Sequence, residues 1–188
     1  MDKIDQLFNA WDYSAEIRSN FCAEHKYDAR EAVFSPFPEN LSPDIISYLG
    51  SKGITHLFSH QRHCWDILQS DNHVVLTTGT ASGKSLAYNL PILDVLLKEP
   101  FSTALMIFPT KALSNDQKIF LDNAARDLEI QTLDYLPGES LQEVVYSYTG
   151  DDTSSSRTKA KKKARILLTN PDMLSLGILP HHPIWAKF

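Results

Sequence analysis

The residues best equipped for chemistry lie together in TTGTASGKSLAYNLP, residues 77–91. A glycine-rich turn running from an apolar strand into a helix offers an anion its backbone N–H groups and a helix N-terminus. Gly83 lets the backbone come close to a phosphate, Lys84 supplies a point charge for the β- and γ-phosphates, and the Ser85 hydroxyl can ligate Mg²⁺. The usual spacing asks for glycine six residues before the lysine; Thr78 stands there, and Gly79 follows one place later. Context therefore decides the reading. The apolar run before the loop and the apolar helix after it are what phosphate binding requires, and they favour a nucleotide site over an accidental Gly-Lys-Ser turn. Thr78, Gly79, Thr80, Ala81, Ser82, Gly83, Lys84 and Ser85 are assigned to the nucleotide, with Ser85 also the metal ligand.

The elements that must position this loop follow from hydrophobic patterning. HVVLTT (73–78), TALMIFP (103–109) and ARILLTNP (164–171) are near-continuous apolar runs, the pattern of strands buried on both faces. They alternate with helices predicted over 84–98, over about 18 residues from Lys111, and again after Asn170. That alternation predicts βαβ units and a parallel sheet covered by helices, with the three strands ending near Thr77, Pro109 and Thr169 on one face.

Upstream, SPDIISYLGSKGI (42–54) predicts a short helix capped by Ser42, with Pro43 in its first turn and Gly50 or Gly53 at its end. FSHQRHCWDILQS (58–70) predicts a second helix, apolar at Cys64, Trp65, Ile67 and Leu68. Residues 131–149 are expected to hold one more strand and a hairpin-like excursion around Pro137–Gly138. Residues 1–40 read as a helical arm closing in a Pro-rich linker, and residues 41–188 as the α/β domain.

Composition sets bounds. A net charge of −5 excludes a protein whose overall charge drives nucleic-acid binding, so any such binding must come from local clusters and backbone dipoles. No apolar run reaches the length of a membrane span, and the N-terminus lacks the pattern of a signal peptide. Cys22 and Cys64 build no disulfide framework, which fits a cytoplasmic, reducing setting.

Threonine, serine or alanine at the first loop position is usual in superfamily 2 helicases, and further motifs in order extend that resemblance. FSHQ (58–61) resembles the Q motif, with Gln61 standing 23 residues before Lys84. Its amide can donate to and accept from an adenine edge, a reason to prefer ATP over GTP. PTKALSNDQ (109–117) resembles motif Ia and TNPDML (169–174) motif Ib. YTGDDT (148–153), followed by Arg157, is similar to a Tyr-x-Gly-Asp-Thr…Arg segment of one branch. With GILPHHPIW (177–185), these segments resemble the mitomycin-repair-factor type of DEAD/DEAH-box helicases and their RecQ-like fungal relatives over roughly residues 28–188.

The resemblance implies a P-loop NTPase fold of the RecA-like, three-layer αβα kind with a parallel sheet, preceded by the helical arm. It implies the ATP-binding part of an ATP-dependent DNA helicase or translocase serving DNA repair, with ATP and Mg²⁺ as cofactors. Single-stranded or partly duplex DNA would cross the strand ends at Thr110, Lys111, Thr169 and Asn170, with Arg157 nearby.

Two departures qualify it. Residues 131–147 are longer and less regular than the family pattern, which leaves the alignment of Asp151 and Asp152 open. The family's Asp-Glu-x-His strand, which holds Mg²⁺ and orients water, has no counterpart, because the 188 residues contain no Asp-Glu dipeptide. No catalytic residue is therefore assigned. The expectation is a fragment, inactive alone, missing the second RecA-like domain.

Blander readings compete at several positions. Lys159, Lys161, Lys162, Lys163 and Arg165 read more readily as a solvated helix face than as phosphate contacts. Phe58 and Trp65 read as core, and the scattered Cys and His residues lack the spacing of a zinc site. Thr110 and Lys111 can be a helix cap and a surface lysine, although a phosphate contact is preferred. The competing functions are a P-loop kinase or small GTPase, a non-catalytic nucleotide- or nucleic-acid-binding module, and a helicase of a phage-defence or restriction system.

Overall fold

A computed structural model describes residues 3–23, 31–134 and 142–188, which fall into two units, Met1–Ala32 and Val33–Phe188. In the first, α1 (Lys3–Asp12) is followed by α2 (Ala15–Arg18), whose N-terminus is capped by the Ser14 hydroxyl accepting from the Ile17 N–H. Phe8, Trp11 and Phe21 pack on one another, with ring centroids 5.5 to 6.5 Å apart. No helix among the described residues is long and apolar enough to cross a membrane.

The second unit runs β1 (Phe34–Ser35), α3 (Pro43–Ser51), β2 (Leu57–Phe58), α4 (Ser59–Leu68), α5 (Lys84–Lys98), β3 (Ala104–Ile107), α6 (Lys111–Asp127), β4 (Val145–Tyr148), α7 (Ser154–Lys163), β5 (Ile166–Thr169) and α8 (Pro171–Met173). A π-helical turn, Leu174–Ile178, and a 3₁₀ stretch, Leu179–Trp185, follow. β1 and β2 form a short antiparallel ladder, and the main sheet is parallel in the order β3-β5-β4. Ile107, Thr169 and Tyr148 share the last rung, so these three strands end together.

Alternation along the strands divides the interior. Ile166, Leu168 and Val145 join a core with Ile45, Trp65, Leu90 and Leu121 of helices α3 to α6. Leu167, Tyr146 and Tyr148 face the other way, onto Ala160 of α7, Ile178 and Trp185. Because β5 is flanked by strands and covered on both faces, all four of its residues are buried, which is why its sequence reads as an unbroken apolar run. The parallel αβα architecture expected from the alternating runs is present, and β4 is the further strand expected within 131–149. The excursion around Pro137–Gly138 lies outside the described residues.

One strand is corrected. Residues 73–78 carry no strand pairing among the described residues; Val75 is 90% exposed, and Val74 and Leu76 are half-buried. An apolar run supplies β propensity, but a buried strand also needs neighbours whose N–H and C=O groups complete its ladder. No described segment pairs with it.

Helix ends follow local chemistry in some places and tertiary contacts in others. Gly53, at φ 77°, ends α3: its N–H donates to Gly50 O and the Ile54 N–H to Leu49 O, the paired bonds of a Schellman close. At the other end the Ser42 side chain makes no cap bond. Its backbone N–H donates instead to the buried carboxylate of Asp94 on α5, at 2.9 Å. Lys98 joins them by donating to Asp94 and to Asn40 O, each at 2.6 Å. The Pro-rich stretch is thus pinned to the helix that follows the glycine loop. On α4, Cys64 and Trp65 are buried as expected while Leu68 is exposed.

Arg165 is a second correction, because it is no part of a solvated face. It is 2% exposed, and it donates to Ser102 O at 3.1 Å, Gln131 O at 3.2 Å and Glu99 O at 2.7 Å. Burial pushes its pKa down from the usual guanidinium value. Three carbonyls would lose a charged donor in Arg165→Met, so the variant is expected to cost about 3 kcal/mol. Urea unfolding reads this as a lower midpoint at unchanged slope. A loss under about 0.5 kcal/mol would mean that the carbonyls do not depend on it.

Candidate functional site

Gly83 is the N-cap of α5 and holds φ at 78°, in the left-handed region. Its carbonyl accepts from Gln61 Nε2 at 2.8 Å, and Gln61 Oε1 accepts from the Phe58 N–H at 2.8 Å. A Cβ on Gly83 would stand 2.7 Å from Gln61 Nε2 and 3.3 Å from the Phe58 ring. Glycine is therefore required twice, by conformation and by the approach of α4. Gln61, only 3% exposed, spans the loop and α4 with both ends of its amide. The two-sided adenine contact expected of it has to share an amide already holding two internal bonds.

The remainder of the loop explains Thr78. Its hydroxyl lies 2.6 Å from Ser82 Oγ, bracing the turn, and its carbonyl accepts from Lys84 Nζ at 2.9 Å. Lys84 Nζ also donates to Gly79 O, with Ser82 Oγ 3.3 Å away. Among the described residues the ammonium rests on the loop's own carbonyls and hydroxyls and not on a carboxylate, which leaves it available to an anion. Ala81 holds φ at 56°, an arrangement that costs an L-residue roughly 1 kcal/mol, and Thr80 is exposed.

Beside the loop opens a pocket of about 640 Å³ lined by Phe34, Ile54, Phe58, Gln61, Gly83 and Ser85, among others. Phe34 stacks on Phe58 with centroids 5.2 Å apart and planes inclined at 22°. Phe58, read from sequence as core, is a half-buried pocket wall. Sequence reasoning missed Phe34 altogether. Its place depends on the β1–β2 pairing of Phe34 with Phe58, for which no local pattern exists.

A second group gathers where β3, β4 and β5 end. Thr110 caps α6 by accepting from the Leu113 N–H at 3.3 Å, and Asn170 caps α8 by accepting from the Met173 N–H at 2.8 Å. Lys111 is exposed and ion-paired with Asp151. The neighbouring Asp152 turns inward, accepting from the Thr149 N–H and from Ser147 Oγ. Arg157 is half-buried; its Nη2 donates to Thr149 O and Gly150 O, and the guanidinium lies 5.6 Å from the Tyr148 ring centre. It braces the 149–152 loop that presents Asp151 to Lys111.

Thr169 requires correction: it is 0% exposed, and its hydroxyl donates to Tyr148 O at 2.8 Å, tying β5 to β4. It has no surface with which to touch a nucleic acid. The basic run is likewise mostly engaged, since Lys163 donates to Gln142 and Lys161 lies over the Trp185 ring. Among the described residues, no group of three or more His, Cys, Asp and Glu is placed to hold a metal ion.

With this geometry, the family model for DEAD/DEAH box helicases matches residues 58–185. The chain belongs to that family. This DEAD/DEAH-box chain is similar to the ATP-dependent helicase YprA of Bacillus subtilis, 37% identical over 163 residues that make up 87% of this chain and 20% of YprA. It is similar also to the ATP-dependent helicase HRQ1 of Saccharomyces cerevisiae, 36% identical over 187 residues, 98% of this chain and 16% of HRQ1. Among solved structures it is similar to the DUF1998 helicase MrfA bound to DNA and AMPPNP, at 37% identity and a TM-score of 0.75, covering 87% of this chain and 21% of that one. The chain thus spans about a fifth of the length of the relatives it matches. Its α/β fold is the RecA-like fold of these helicases.

Proposed function

We propose that this chain forms the ATP-binding part of an ATP-dependent DNA helicase or translocase acting in DNA repair. One observation carries the reading: the Gly83 carbonyl, held by Gln61, joins the glycine loop to α4 around a single pocket with a stacked aromatic wall. The absent Cβ at Gly83 and the ammonium of Lys84, resting on carbonyls and hydroxyls of its own loop, suit a polyphosphate. Mg²⁺–ATP, when bound, supplies the phosphoanhydride whose hydrolysis would drive movement along DNA.

The chain's own residues hold it. Thr78 to Ser85 cradle the phosphates, and Lys84 exchanges the Thr78 and Gly79 carbonyls for phosphate oxygens. The Ser85 hydroxyl, at the head of α5, is assigned to the metal. Phe34 and Phe58 would close the base side, and beyond its two internal bonds Gln61 keeps one amide N–H to offer a base edge.

Backbone phosphates of single-stranded or partly duplex DNA are assigned to Thr110, Lys111 and Asn170, where two helix N-termini follow adjacent strands. Arg157 acts indirectly, through the loop it braces. That MrfA has been crystallised with DNA and AMPPNP supports both ligands. A second RecA-like domain is the expected partner across the nucleotide. Fluorescence anisotropy with an oligothymidylate tests the DNA reading. Lys111→Ala is expected to weaken binding and to lower the slope of log affinity against log salt by about 0.7, one phosphate contact on a single strand. An unchanged slope would remove Lys111 from the interface.

A further inference from the structure

Asn89 and Gln117 form a buried polar pair between α5 and α6. Asn89 is 0% and Gln117 8% exposed, and Asn89 Nδ2 donates to Gln117 Oε1 at 3.0 Å. Their buried neighbours along the two helices include Leu90 and Leu93 on α5 and Leu121 and Ala124 on α6. Asn89 Oδ1 has no partner among the described residues. An amide carbonyl stranded in a core is costly, whereas two apolar side chains of the same size would pack there freely. Packing alone therefore gives no reason for the pair.

Position supplies one. Asn89 stands five residues after Lys84, on the helix that the glycine loop caps. Gln117 stands six residues after Lys111, on the helix whose first turn carries Thr110 and Lys111. The hydrogen bond is a direct polar tie between the two. Apolar side chains slide past one another by fractions of an ångström at little cost, but a buried hydrogen bond holds only over a narrow range of distance and angle. An Asn–Gln pair also has two discrete arrangements, since either amide can donate to the other's carbonyl. The unpartnered Asn89 Oδ1 is the acceptor that the second arrangement would use.

We propose that Asn89 and Gln117 are positioning residues that register α5 against α6, so that nucleotide in the loop and nucleic acid at Thr110 and Lys111 strengthen each other's binding. The inference rests on the function proposed above. When phosphate draws Lys84 off the Thr78 and Gly79 carbonyls, the first turn of α5 adjusts, and the pair hands that adjustment to α6.

The test measures oligothymidylate affinity with and without AMPPNP. In the wild-type chain the nucleotide is expected to tighten DNA binding about fivefold or more. The double variant Asn89→Leu/Gln117→Met fills the same space with apolar groups. It is expected to keep the thermal midpoint and each ligand's separate affinity, while the mutual effect falls below about twofold. The exchange variant Asn89→Gln/Gln117→Asn, which can re-form the bond, is expected to keep the enhancement, and it carries the test if the apolar variant does not fold. Wild-type enhancement retained in the double variant, or lost in a folded exchange variant, overturns the proposal. A wild-type chain binding both ligands without mutual effect overturns it too, and leaves the functional reading standing. Binding of neither ligand defeats the functional reading itself, and the proposal with it.

Discussion

Gly83→Ala is expected to weaken ATP binding by roughly a hundredfold, and Lys84→Ala to remove what remains. Two separate costs meet at Gly83. An L-residue held at φ 78° costs roughly 1–2 kcal/mol. The added Cβ would also lie 2.7 Å from Gln61 Nε2, closer than van der Waals contact allows. Gln61 cannot swing away freely, because its amide is held by the Phe58 N–H and by the Gly83 carbonyl. Displacing it forfeits two hydrogen bonds of about 1 kcal/mol each. Together these come to roughly 3 kcal/mol or more, falling on the loop assigned to the phosphates. Calorimetry with ATP and GTP reads the result. A Gly83→Ala chain binding ATP within about threefold of wild type would show that the loop does not need this geometry. Equal wild-type affinities for ATP and GTP would count against any role of Gln61 at the base.

Phosphate release by the 188-residue chain is expected to stay at background even with saturating single-stranded DNA. Hydrolysis requires metal, water and transition-state charge to be positioned together. In the proposed site, Lys84 and Ser85 would answer for the phosphate charge and one metal ligand. The sequence contains no Asp-Glu pair to hold the metal and orient water. Asp94, the carboxylate of α5, is already bound to Ser42 and Lys98. Lack of an arginine finger alone is worth about 10³–10⁵ in rate. A polypeptide joining these residues to an Asp-Glu-x-His strand and a second RecA-like domain is expected to show DNA-stimulated turnover. Robust stimulated turnover by the 188 residues alone would mean that other carboxylates do this work.

Features whose causes lie within a few residues were legible in the sequence. Thr110 and Asn170 cap their helices because a side-chain oxygen reaches an N–H three residues ahead. A glycine at the end of α3 was legible because glycine takes a positive φ cheaply, and of the two candidates, Gly50 and Gly53, it is Gly53 that does so. The runs at 104–107 and 166–169 pair as parallel strands, the second buried along its whole length and the first only at Met106. The helix over 84–98 and the glycine turn at its head were legible because both are local features of the chain.

What depended on distant partners was decided only by the tertiary structure. Residues 73–78 have the composition of a strand, but a ladder also takes a neighbour. Thr169 was read as a contact residue and is a strut, since Tyr148 lies 21 residues away in sequence and 2.8 Å away in space. Arg165 resembles the lysines before it until three carbonyls from two other segments close around it. Phe34 reaches the pocket only through its pairing with Phe58, and Asn89 meets Gln117 only because the fold brings two residues 28 apart in sequence, on separate helices, within reach of a side-chain hydrogen bond. In each case burial and pairing turn on where another part of the chain lies, and no residue's own type or local spacing contains that position.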